Sequence, residues 1–163
     1  MFLIKQEYLD EYMPKVKGVT YRQFTYTDVI NFEGLNDDSG FQTSKSDRKR
    51  RMVHQSESGP CITALINNRV VAIFGMVLIW DGLGESWSVF SKEARRYPIA
   101  MTKGANAFFD ICEILFSLHR IQITVRSTDK RAVSWAKCLG FKSEGLLKEY
   151  SVDKTDYYMM RRS

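Results

Sequence analysis

Three cysteines and two histidines, Cys61, Cys112, Cys138, His54 and His119, are the softest metal ligands in this 163-residue sequence. They are widely spaced, the cysteines are odd in number, and no C-x-x-C occurs. That pattern argues against a zinc site and for free thiols in a reducing compartment. The other concentration of chemistry is cationic. Lys45, Arg48, Lys49, Arg50 and Arg51 crowd one segment, where the composition predicts a polar helix over about residues 44–54. Such a run is ordinarily a solvated helix face. Its alternative is a surface that docks an acidic substrate or a nucleic acid. No aromatic residue is interleaved with these charges, which weighs against nucleic acid. Lys plus Arg number 24 against 19 Asp plus Glu, a net charge of +5. This points to an anionic partner without choosing among phosphate, nucleic acid and membrane surface. Trp80, Trp87, Trp135, Phe108 and Phe109 fall at helix or strand spacing and read as core rather than stacking platforms.

The elements that must position these residues follow from periodicity. The length suits one domain that buries roughly 70% of its unfolded surface. A composition of 44% hydrophobic and 26% charged residues argues against disorder. The longest apolar run, Val70 to Trp80, is well short of the ~20 residues of a membrane helix. Met1 to Lys5 is too short for a signal-peptide core. The expected location is therefore cytoplasmic, with no membrane partner. Residues 1–18 read as an N-terminal extension with a short helix over Lys5 to Met13, and 19–163 as a single domain. A strand is predicted over Val19 to Tyr26. A short helix follows, N-capped at Thr27-Asp28 and running through Val29, Ile30 and Phe32. Residues 36–40 read as a loop. Strands over Cys61 to Ile66, Arg69 to Trp80 and Glu85 to Phe90 form an antiparallel meander, turning at Asn67-Asn68 and Asp81-Gly82. Gly75 marks a bulge or a close backbone approach. A helix over Pro98 to Leu118 is followed by a strand over Arg120 to Arg126, expected parallel to the strand before the helix. A helix over Lys130 to Cys138 ends at Gly140. Two last strands span Phe141 to Val152 and Tyr157 to Arg161. Their exposed edges offer a surface for a homodimer.

The segment Asp129-Lys130-Arg131-Ala132-Val133-Ser134-Trp135-Ala136-Lys137-Cys138-Leu139-Gly140-Phe141 resembles the N-x-x-A-x-x-x-Y-x-x-x-G-F block of the GNAT superfamily of acyl-CoA-dependent N-acyltransferases. Ala132, Gly140 and Phe141 fit in register, and Asp156 to Met160 is similar to the last strand of many members. The likeness covers about residues 19–161, most specifically 119–147. It implies an α+β fold: a mixed, mostly antiparallel twisted sheet with helices on both faces and a splayed parallel strand pair. It also implies acetyl-CoA as co-substrate, no metal, and acetyl transfer to a primary amine by direct attack on the thioester.

An amine with a pKa of about 10.4 is mostly ammonium at neutral pH, so a base must first remove a proton. The resemblance points to Glu85; the alternative is that Glu85 is merely an exposed residue after its turn. His54 and His119 are the rival bases. The resemblance places donor contacts on Ser88, Val89 and Phe90, along which pantetheine lies like an added strand. One of their amides would face the thioester oxygen. Further donor contacts fall on Arg95, Arg96 and Ala100 of the pyrophosphate loop, and on Asp129 and Ala132. Two positions depart from the family pattern. Pro98 stands where glycine is usual and removes one amide donor. Ala136 stands where many relatives have a tyrosine that protonates the leaving thiolate; Ser134, Cys138 or water is left for that role.

The stretch from Glu85 to Gly145 is also similar to a branch of GNAT-like proteins of tailed bacteriophages. That likeness implies a protein of weak or no activity acting by binding, as an internal virion component or a host-directed factor. It would reside in the host cytoplasm or virion and take a protein partner. The amine acceptor, small molecule or protein, is not legible.

Overall fold

A computed structural model describes residues 2–30, 32 and 45–163. Within them the hydrophobic periodicities resolve into α1 (Gln6–Tyr12), β1 (Val19–Gln23), α2 (Tyr26–Ile30), α3 (Lys45–Ser56), β2 (Cys61–Ile66), β3 (Arg69–Trp80) and β4 (Leu83–Phe90). A 3-10 turn (Glu93–Arg96) leads into α4 (Pro98–Leu115). Then come β5 (Arg120–Arg126), α5 (Lys130–Cys138), β6 (Phe141–Leu147) and β7 (Tyr157–Arg162). The expected loop at 36–40 and the expected helix start at Ser44 lie outside the described residues. The strands form one sheet in the order β1-β2-β3-β4-β5-β7-β6. Every neighbouring pair is antiparallel except β4 and β5, which run parallel. This is the mixed α+β sheet with one parallel pair that the sequence implies.

Asn67 and Asn68 take φ of 51° and 63°, so the chain reverses tightly from β2 into β3. β3 is apolar along its middle and is covered on both sides. Ala72, Phe74 and Met76 join Met101, Ala105 and Phe108 of α4 in the larger core. Ile73 turns the other way, into a smaller cluster with Val29, Met52 and Cys61. Helices therefore cover both faces: α4 one, α2 and α3 the other. Cys61 and Cys112 are buried free thiols, and burial pushes both thiols up, away from thiolate. Ile4, Leu9 and Met13 pack into the larger core. Gln6 Nε2 donates to the Tyr21 carbonyl and Gln23 Nε2 to the Ile4 carbonyl, fastening α1 to β1.

Several boundaries differ from expectation. α2 begins earlier, because Thr25 rather than Thr27-Asp28 closes it: Asp28 accepts the Thr25 N–H at 3.0 Å, half of a T-x-x-D capping box. α4 stops at Leu115 rather than Leu118, since Ser117 takes a φ of 51°. β6 stops at Leu147 rather than Val152, before Glu149 at a φ of 50°. β7 lies between β5 and β6, so of the last two strands only β6 is an edge open to a second copy.

Asp28 is 4% exposed and has its lone pairs filled. Arg22 donates two bonds to it (2.6 and 2.8 Å), and the Thr63 hydroxyl donates a third at 2.7 Å. A buried carboxylate is tolerated only with such a set of donors.

Candidate active site

β4 and β5 pair only at Leu83–Arg120, Gly84–Ile121 and Glu85–Gln122. Past Glu85 the two parallel strands separate. The phase of β4 follows from one bond at its end, where Ser91 N–H donates to the Val71 carbonyl on β3 at 2.9 Å. Main-chain direction alternates along a strand, so the amides of Phe90, Ser88 and Ser86 turn toward the gap. Beyond Glu85 these groups have no partner strand on β5.

A cavity of about 580 Å³ opens at this fork. Side-chain alternation divides its walls. On the α4 and α5 side it is lined by Ser86, Ser88 and Phe90 of β4, Ile123 and Val125 of β5, Pro98 and Met101 of α4, and Ala132, Trp135 and Ala136 of α5. Glu85, Trp87 and Val89 belong to the opposite side, facing Phe32 and the Arg48, Lys49, Arg51, Met52 and Gln55 side chains of α3. The cavity thus joins the two faces of the sheet through the gap between its parallel strands.

Of the residues singled out in the sequence, Glu85, Ser88, Val89, Phe90, Arg95, Asp129 and Ala132 line this cavity. Asp129 also caps α5, accepting the Ala132 N–H at 3.0 Å. Arg96 and Ala100 do not line it. Arg96 is exposed at the end of the 3-10 turn, while Ala100 is buried against the core. Pro98 occupies the first turn of α4, where its missing N–H costs no helical bond. His54 and His119 are both exposed and outside the lining. Neither Ser134 nor Cys138 lines the cavity, whereas Ala136 does. Among the described residues no group of three or more His, Cys, Asp or Glu is placed to hold a metal.

Glu85 is held by side chains that sequence reading missed. Gln122 Nε2 donates to Glu85 Oε1 at 2.9 Å. Arg120 Nε in turn donates to Gln122 Oε1 at 3.0 Å, and its guanidinium pairs with Glu144 at 2.5 Å. The arginine fixes which end of the Gln122 amide faces Glu85, so the carboxylate is aimed by a chain of directional bonds. The only prior signal was the alternation of β5, which puts Arg120 and Gln122 on one face.

Phe108 and Phe109 are buried as expected, but Trp80 is 68% exposed at the β3–β4 hairpin. Trp135 packs on the larger core and Trp87 on the smaller, and both also wall the cavity. Trp135 meets Phe90 edge-on at 5.3 Å and donates from Nε1 to the Thr102 hydroxyl at 3.0 Å, tying α5 to β4 and α4. Trp87 lies across Gly75. A Cβ at Gly75 would sit 2.2 Å from its ring, which is the close approach the glycine foretold. Gly75→Ala is expected to force the indole toward the cavity and to cost about 1–3 kcal/mol of stability. A thermal melt checks this; an unchanged midpoint contradicts it.

No family model and no curated protein matches the sequence. Solved structures do. Ard1 from Thermoplasma volcanium superimposes with a TM-score of 0.72 at 17% identity, covering 89% of this chain and 97% of that one. RimL, a ribosomal α-N-protein acetyltransferase in complex with coenzyme A, gives 0.71 at 15% identity, over 92% and 96% of the two chains. A mutant of the spermidine N-acetyltransferase SpeG from Vibrio cholerae gives 0.70 at 15% identity, over 90% and 94%.

Proposed function

We propose that this chain, which has the GNAT fold, is an N-acetyltransferase that takes an acetyl group from acetyl-CoA and delivers it to a primary amine. The observation that carries this reading is the fork between β4 and β5. It is a slot with main-chain donors and acceptors along one edge, joined to a second chamber on the other face of the sheet. Its fit to the donor rests on that open edge and on the Arg95 and Arg131 side chains at the cavity wall. Acetyl-CoA supplies the activated acyl group, as a thioester.

The protein's own residues divide the remaining work. Ser88 and Phe90 offer N–H groups on the donor side, one of which can face the thioester oxygen as negative charge builds on it. The amides at the start of α4 and the Arg95 guanidinium favour phosphate at the helix N-terminus. Glu85, on the opposite face at the vertex of the fork, accepts the proton that the acceptor ammonium must lose, directly or through water. Ala136 leaves no acid at the position where relatives often carry tyrosine. The departing thiolate, with a thiol pKa of about 8.5, then takes its proton from water.

Saturating acetyl-CoA is expected to raise the melting temperature by several degrees, because a ligand at a hundredfold excess over its Kd stabilises the folded state by about 2.7 kcal/mol. Release of free CoA thiol in the presence of an amine is the activity readout. An unchanged midpoint would favour the alternative, a GNAT-fold protein that acts by binding alone.

A further inference from the structure

We infer that the acceptor is an aliphatic amine carried on an acidic molecule, and that the cleft-facing side of α3 selects it. This rests on the acetyl-transfer reading above. Arg48, Arg51, Met52 and Gln55 recur at i, i+3, i+4 and i+7, the positions that a helix packed on a sheet normally fills with apolar side chains. Here Met52 alone is apolar and buried. Arg48, Arg51 and Gln55 line the cavity with it, and Lys49 joins them. Arg48, Lys49 and Gln55 are half-buried rather than fully solvated, whereas Arg50, Arg51 and His54 are exposed, as a solvated face requires.

Turning cations inward is costly unless an anion meets them. Arg48 has no carboxylate partner among the described residues. Lys49 donates to the Ile30 carbonyl at 2.5 Å, a neutral acceptor that leaves its charge unbalanced. Glu85 and Asp129 are the only acids among the described residues lining the cavity, and Asp129 is spent on capping α5. The acceptor chamber thus offers positive charge, and a carboxylate satisfies it. A polycationic amine would be repelled. Nucleic acid satisfies the charge but not the chemistry, because the exocyclic amines of its bases delocalise their lone pairs into the ring and attack poorly.

The test uses the full chain and short peptides sharing an N-terminal serine, followed by glutamates, glutamines or arginines. Free glutamate separates a small acidic amine from an acidic chain terminus. The expected result is at least about a tenfold preference in kcat/KM for the acidic peptide or for glutamate, shrinking at high salt as the charges are screened. Arg48→Glu should erase that preference while leaving the acetyl-CoA thermal shift intact, which shows the variant folded with its donor site unaffected. Equal rates for all peptides, or faster transfer to the arginine peptide, overturn the inference. So does tighter binding of single-stranded DNA than of the glutamate peptide. If the wild-type protein shows no acetyl-CoA shift, the transfer reading fails first and takes this one with it. A shift without charge preference removes this inference alone.

Discussion

Glu85→Gln is expected to lower turnover by about 10²–10⁴, the usual contribution of a positioned general base, while leaving acetyl-CoA affinity unchanged. The substitution is close to silent structurally. Gln122 Nε2 still finds an oxygen at position 85, so the chain of bonds through Arg120 to Glu144 survives. The loss should therefore fall on kcat with little change in the melting temperature. Gln122→Ala, which frees the carboxylate without removing it, should give a smaller loss in kcat. Initial rates of thiol release with and without the substitution make the comparison. Wild-type turnover in Glu85→Gln would take the carboxylate out of the chemistry and leave it as an exposed residue after the Asp81-Gly82 turn.

The largest stability effect is expected at Asp28. Asp28→Ala strands the Arg22 guanidinium, the Thr25 amide and the Thr63 hydroxyl, all of which donate to the carboxylate. Asp28 is buried but Arg22 is 38% exposed and can turn to water, so the loss falls mainly on the stranded Thr63 hydroxyl and on the desolvated pair, at about 2–4 kcal/mol. The pH dependence has a definite sign. Burial pushes the Asp28 carboxyl up, but the bonds from Arg22, Thr25 and Thr63 outweigh it and hold the group below the usual carboxylate range. A folded-state value below the unfolded ~3.9 means the stabilisation is complete at neutral pH and is lost as pH falls through the folded value. Denaturant melts of wild type and Asp28→Ala should therefore differ most near neutrality and converge in acid. A gap that is small at neutral pH, or that widens in acid, contradicts this account.

Much of the frame was legible because its signals are local. The Asn67-Asn68 turn, the doubly covered β3, the span of α5 and the positive φ of Gly140 each follow from a few adjacent residues. What was missed has a physical reason in each case. Ser117 and Glu149 take the left-handed conformation without being glycine, so nothing in their side chains announced the ends of α4 and β6. Gln122 reaches Glu85 only because β5 lies beside β4, which brings segments distant in sequence side by side. The orientation of α3 was hidden for another reason. Arg48, Lys49, Arg50 and Arg51 are consecutive and so cover the whole circumference of a helix, and periodicity cannot tell which of them faces inward. The site itself divides similarly: the segment opening at Asp129 was visible as a motif, whereas the basic wall opposite required the packing.

The central claim is that the open edge of β4 receives the acyl donor, and amide hydrogen exchange resolved at single residues tests it most directly. In the protein alone, the Ser88 and Phe90 amides should exchange faster than that of Val89, which turns toward β3. Added CoA should then slow Ser88 and Phe90 selectively. Equal protection of all three before addition, or CoA binding that leaves Ser88 and Phe90 as fast as before, would mean that the fork does not hold the donor.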